Sequence, residues 1–149
     1  MKKLPNVNHQ TLTGHKSVLL EETIKLLKTP ENGTYLDCTI NGGGHALGVA
    51  TELKGKLTII GLDKDGEALE RAKTKLEGKA KSLTLLQVDF RELDTVLQKL
   101  NLVGQVDSIL MDIGISSDQL DYSKRGFSFQ RDEPLLMTMK DKVSKSTLT

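Results

Sequence analysis

The sequence predicts an α/β fold built on a parallel sheet, and three observations carry that expectation. Apolar residues at helical spacing alternate with short runs of β-branched and aliphatic residues as far as Gly114, the pattern of βαβ units with right-handed crossovers. Four of the short runs end in glycines or acids, which suits the carboxyl edge of a parallel sheet. The 149 residues, 37% hydrophobic and about 46% once the 13 glycines are added, fall in the range of one ordinary globular domain.

The elements follow in order. "SVLLEETIKLLK" places Val18, Leu19, Leu20, Ile24, Leu26 and Leu27 roughly on one helical face, with Ser17 available as N-cap. "YLDCTI" is a short apolar strand. "ALGVATELK" resumes a helical reading, and "KLTIIGLD" reads as a second buried strand. "GEALERAKTKLEG" is the best-defined helix: Leu69, Ala72 and Leu76 share a face, Glu67 precedes Arg71 by four residues, and Gly78 suits the C′ position. "SLTLLQVDF" is the third strand, "RELDTVLQKLNL" repeats the helical spacing at Leu93, Val96, Leu97 and Leu100, and "VDSILMDIG" is the fourth strand. Beyond Gly114 neither period is strong.

Bulk properties exclude several classes. A net charge of +1, from 21 basic and 20 acidic residues, provides no global field toward nucleic acid or membrane, so any basic contact must be local. Cys38 is alone, cannot form an internal disulfide and fits a reducing compartment. No apolar run reaches the length of a membrane span or resembles a signal sequence, which makes the cytoplasm the expected location. The three histidines, His9, His15 and His45, lack metal-ligand spacing, so no metal is expected.

The strand ends carry the functional signal. The first is the loop "NGGGHALG"; the second is Asp63, 19 residues after Gly44, about the separation at which an acid meets a ribose diol. The third is Asp89 and Phe90, an acid and a ring that could meet an adenine; the fourth is Asp112. Each has a plainer explanation. The glycines could make a tight turn, Asp63 could cap the helix beginning near Gly66, Phe90 could be core, and His45 could cap or pack. Their joint placement at consecutive strand ends favours an adenosine-bearing cofactor.

The loop's spelling bears on which one. Gly42, Gly44 and Gly48 leave three residues in the second gap, one more than the dinucleotide fingerprint allows. An acid followed by a glycine pair, here Asp37 with Gly43 and Gly44, is how the first loop of many S-adenosylmethionine (SAM) methyltransferases reads. A strand-end acid and exposed backbone amides suit the ammonium and carboxylate of that cofactor's methionine end.

"GHKSVLLEE", "YLDCTINGGGHA", "GLDKD", "VDSILMDIGISSDQLD" and "RGFSF", in this order, resemble the bacterial-type enzymes that methylate N4 of a cytidine in small-subunit (16S) ribosomal RNA. The likeness runs from about His15 to about Met139. It implies a Rossmann-like SAM-dependent methyltransferase sheet with its first four parallel strands in the order 3-2-1-4. It also implies cofactor contacts at Gly43, Gly44, His45, Asp63, Phe90, Asp112 and Gln119, the last supplied by the resemblance alone. The chain departs from the family at Asn41, which tolerates αL geometry, and at Glu133, Leu136 and Thr138, where the family carries glycine, an acid and arginine. On this reading residues 1–117 are the N-terminal half of the SAM-binding domain, and residues 118–149 begin an inserted substrate-binding region that the chain leaves incomplete.

Three further expectations follow. "YSKRGFSFQR" gathers Tyr122, Phe127 and Phe129 with Lys124, Arg125 and Arg131, a combination suited to stacking on splayed bases and contacting phosphates, although the two phenylalanines could instead anchor the loop to the core. No catalytic residue is assigned; Asp112 could accept from the cytosine amino group or hold the methionine ammonium, and the second role is preferred. Without a further strand beside the fourth, the truncated sheet should self-associate there and be silent on RNA. The alternatives are a non-catalytic remnant that at most binds SAM and a methyltransferase of another substrate.

Overall fold

The computed structural model describes residues 17–115, 120, 124–130 and 132–138. The elements, in chain order, are α1 (Leu20–Leu27), β1 (Thr34–Asp37), α2 (Gly44–Glu52), β2 (Thr58–Asp63), α3 (Gly66–Leu76), β3 (Ser82–Gln87), a 3₁₀ turn (Phe90–Glu92), α4 (Leu93–Lys99) and β4 (Ser108–Leu110). All strand pairs are parallel and the order is β3-β2-β1-β4, as the resemblance implied.

Alternation along the strands divides the core in two. Tyr35 and Ile59 point to one face, where they pack with Ala46, Val49, Leu69, Ala72 and Leu76 of α2 and α3. Leu36 and Ile60, one residue on, point to the other face and meet Val96 with Leu93 and Leu97 of α4. The crossover α2 leads from β1 outward to β2, whereas α4 precedes β4 on the opposite side of β1. The order of winding therefore reverses between β1 and β4, and ligands of such sheets bind outside the carboxyl ends at that reversal.

Several sequence expectations are corrected at the N-terminal end. Ser17 does not cap α1: the N-cap is Leu19, in the αL region at φ 53°, without a side-chain hydrogen bond. Val18, Leu19 and Leu26 are exposed and do not share the packed stripe, which is half-buried and consists of Leu20, Ile24 and Leu27. The fourth strand is also shorter than "VDSILMDIG", ending at Leu110. Its register places Tyr35 opposite Ser108 and Asp37 opposite Leu110, and within the described residues its other edge pairs with nothing. Ile109 within it, and Met111, Ile113 and Ile115 after it, are exposed.

Candidate functional site

A cleft of about 100 Å³ opens at the carboxyl ends of the four strands, lined by Cys38, Thr39, Asn41, Asp63, Lys64, Val88, Phe90, Asp112, Ile113 and Gly114. Three of the expected contacts, Asp63, Phe90 and Asp112, meet there. Asp63 is the last residue of β2, Phe90 opens the 3₁₀ turn three residues after β3, and Asp112 lies two residues after β4.

Asp63 is the polar centre of the cleft. Its Oδ2 accepts from the backbone N–H of Asn41 at 2.8 Å and its Oδ1 from that of Asp65 at 2.9 Å. Burial pushes its carboxyl above the ordinary range, and these backbone donors oppose the shift. Asp63 is thus not the cap of α3. That role belongs to Asp65, whose Oδ1 accepts from Glu67 N–H at 3.0 Å. A carboxylate offers about four acceptor positions, so Asp63 retains capacity for hydroxyl donors from the cleft.

Phe90 is both core and wall: it packs against the cluster of Leu36, Ile60 and Val96 while its half-buried ring borders the cleft. Beside it, Asp89 caps the 3₁₀ turn through Arg91 N–H and pairs with Arg91 and Lys64 at 2.7 and 3.0 Å. The Arg91 hydrogen bonds, then Lys64, hold its carboxyl well below the usual range. Asp112 is exposed, and its backbone N–H donates to Thr39 Oγ1 at 2.8 Å, which ties the segment after β4 to the segment after β1.

The first-loop residues occupy different surroundings. Asn41 adopts αL geometry at φ 50°, as its residue type allows, and its amide holds Asp63. Gly43 is buried at φ +74°, and a Cβ there would lie 3.2 Å from Ala72 Cα and 3.3 Å from Leu76 Cδ1. Its missing side chain therefore lets α2 and α3 approach. Gly44 lies beneath Ser17 Oγ. His45 Nε2 is 3.0 Å from the Val18 carbonyl oxygen, so the ring pins the entry to α1 across the start of α2. Gln119 lies outside the described residues, as do Tyr122 and Arg131.

Asp37 does not reach the cleft surface. It is buried, accepting from Tyr35 Oη at 2.8 Å and Thr39 N–H at 3.1 Å, and burial pushes its carboxyl up to about 6. Burial likewise raises the neighbouring Cys38 thiol to about 11, so at neutral pH that sulfur is protonated and unreactive.

One expected RNA contact is overturned. Arg125 is 6% exposed, its guanidinium lying 3.2 and 3.4 Å from the two Asp65 carboxylate oxygens and 3.6 Å from Glu67. It cannot present its charge to a phosphate. Phe129, four residues on, stands fully in solvent, while Phe127 is partly buried. Sequence reasoning missed Asn41, Thr39 and Lys64 as cleft residues; their position just beyond strand ends was the available signal. Nothing local distinguished Arg125 from Lys124. Among the described residues no three His, Cys, Asp or Glu side chains gather as a metal site, and no helix is long and apolar enough to cross a membrane.

A parallel sheet in this order, with an acid and an aromatic ring at neighbouring strand ends, defines a Rossmann-like fold of the methyltransferase type. The solved structure of NSun6 from Pyrococcus horikoshii with SFG shares the fold at a TM-score of 0.52 and 23% identity, over 74% of this chain and 29% of that one. The model of the MraW methylase family matches residues 12–148, and the chain belongs to that family. It is 44% identical over 125 residues to "Ribosomal RNA small subunit methyltransferase H" of Heliobacterium mobile, and equally to the protein of that name from Clostridium botulinum (strain Okra / Type B1). Each match covers 84% of this chain and 40% of the relative, so the chain spans about two fifths of the length of these curated relatives.

Proposed function

We propose that this chain is the cofactor-binding portion of a SAM-dependent methyltransferase that modifies N4 of a cytidine in small-subunit ribosomal RNA. The observation that carries the cofactor is Asp63: a partly desolvated carboxylate, braced by two backbone amides and facing a cleft with one aromatic and two aliphatic walls, Phe90, Val88 and Ile113. A ribose diol supplies the hydroxyl donors that the carboxylate lacks, and an adenine finds the apolar walls. The opening amides of α2 at Gly44 and His45, beside Gly43, suit the methionine carboxylate, Asp112 suits the ammonium, and the family resemblance adds Gln119 as a further cofactor contact.

The cofactor supplies an electrophilic methyl group on a sulfonium. The lone pair of a cytosine amino group is delocalised into its ring, so the protein's contribution is in-line orientation and acceptors for the amino hydrogens. Substrate identity rests on membership of the methylase family and on the names of the curated relatives. Residues 118–149 would begin the substrate-binding region, and Phe129 with Lys124 would meet RNA there. The competing readings are a remnant that binds SAM without catalysis and a methyltransferase of another substrate.

Calorimetric titration with SAM, S-adenosylhomocysteine and NAD tests the reading. SAM and its demethylated product should bind and NAD should not. Asp63→Ala should weaken binding by about 1.5–3 kcal/mol, the scale of a hydrogen bond to a charged group. Tighter binding of NAD than of SAM would refute the cofactor assignment. Methyl transfer to small-subunit RNA separates the enzyme from the remnant.

A further inference from the structure

Residues 124–130 and 132–138 form the two sides of an arm with a closed base. The Met137 N–H donates to the Arg125 carbonyl at 2.9 Å, and the Gly126 N–H donates to Glu133 Oε2 at 3.1 Å. At Gly126, φ is +79° and a Cβ would lie 2.5 Å from the Pro134 carbonyl oxygen and 2.8 Å from Leu135 Cα, so the two legs touch where only glycine fits. Phe129, between the two legs in sequence, is fully exposed. Glu133 thus closes the arm.

The base is anchored by Arg125, whose partner Asp65 has three roles. Its carboxylate caps α3 through Glu67 N–H and pairs with the guanidinium, while its own backbone N–H donates to the Asp63 carboxylate. Arm and cleft are therefore joined by one short link: Arg125 to Asp65 by an ion pair, Asp65 to Asp63 by a hydrogen bond across a single intervening residue. Both ends of the ion pair are buried, at 8% and 2% side-chain exposure, so solvent screens it little. Bidentate geometry also makes it directional.

We propose that Arg125 is a positioning residue: by pinning the arm to Asp65, two residues from the cleft carboxylate, it makes ordering of the arm and filling of the cleft mutually dependent. A ligand that draws Asp63 into hydrogen bonds fixes the backbone that presents Asp65, and a docked arm in turn holds Asp63 in place for the ligand. Linkage requires the two effects to be equal. The identity of the ligand rests on the cofactor reading above; the link between Asp63 and the arm does not.

Amide exchange of the 124–138 peptide, read by mass spectrometry on the whole chain, tests the link first without ligand. Asp63→Ala removes the acceptor for Asp65 N–H and should speed exchange of the Gly126 and Met137 amides about 5-fold or more, the lower range of ordinary coupling. Unchanged exchange would overturn the proposal. The double variant Asp65→Asn/Arg125→Met keeps a helix cap and removes both charges of the buried pair together, so it should fold with α3 intact and show equally fast exchange. Arg125→Lys, which retains the charge without the fork, should restore part of the protection. Saturating S-adenosylhomocysteine should slow exchange of the arm in the parent and leave the double variant unaffected, with affinity in the double variant lower by the same factor. Binding to the parent with no response of the arm would refute the coupling. Failure of the parent to bind S-adenosylhomocysteine would count against the cofactor reading, and the ligand-free comparison would still decide the link.

Discussion

Replacing Gly43 by alanine separates two explanations of the glycine loop, because the structure assigns this residue to helix packing and the cofactor reading assigns it to ligand approach. Two costs are expected. A φ of +74° places an L residue in the αL region, at about 1–2 kcal/mol, and the lower entropy of the unfolded chain offsets this by about 0.4–1 kcal/mol. A Cβ at 3.2 Å from Ala72 Cα and 3.3 Å from Leu76 Cδ1 must also push α3 away from α2, and overpacking of this kind costs about 1–3 kcal/mol. Gly78 is the control: its φ is +67°, but a Cβ there meets nothing within 4 Å. Gly78→Ala should therefore lose about 0.5–1 kcal/mol, and Gly43→Ala about 2–4 kcal/mol. For a domain of this size the corresponding fall in Tm is about 2–4 °C for each kcal/mol. Thermal and urea unfolding of both variants, with and without S-adenosylhomocysteine, provide the assay. Equal losses in the two variants would refute the packing argument. A Gly43→Ala protein as stable as Gly78→Ala that had lost only ligand affinity would give the residue to the cofactor.

The remaining predictions address the buried acid, the arm and the sheet edge. Asp37 is raised from 3.8 to about 6 in the folded protein, so its contribution to stability is fully present below about pH 4 and is lost as pH rises through about 6, a change of about 3 kcal/mol. The stability difference between Asp37→Asn and the parent should shift by that amount between pH 4 and 7, and a constant difference would count against it. Tyr35→Phe removes the Oη donor, should raise the Asp37 carboxyl further and should steepen the dependence. In the arm, Phe129→Ala should leave Tm unchanged and weaken RNA binding by about 1–3 kcal/mol if the ring stacks on a base, whereas Arg125→Ala should lower Tm first; a filter-binding series alongside thermal melts distinguishes them. At the edge of β4 that is unpaired among the described residues, with Ile109 exposed in the strand and Met111 and Ile113 exposed after it, the chain should self-associate at about tens of micromolar. Sedimentation velocity showing a single monomeric species would contradict this.

Much of the architecture was legible in the order of residues. Strand alternation at Tyr35/Leu36 and Ile59/Ile60, the helical stripe Leu69–Ala72–Leu76 and the stop at Gly78 are local or near-local patterns, and the structure reproduces them because backbone periodicity alone decides which face a side chain takes. Asp63, Phe90 and Asp112 were also within reach, since the end of a strand in a parallel sheet is a place that sequence can specify. Tertiary structure decided the rest. It gave Gly43 to the α2–α3 contact and buried Arg125 against Asp65, 60 residues earlier in the chain, through contacts that no local period encodes. The cap of α3 belongs to Asp65 by its place directly before the helix, a local fact, whereas the amide that holds Asp63 at the cleft comes from Asn41 in a different loop, 22 residues earlier.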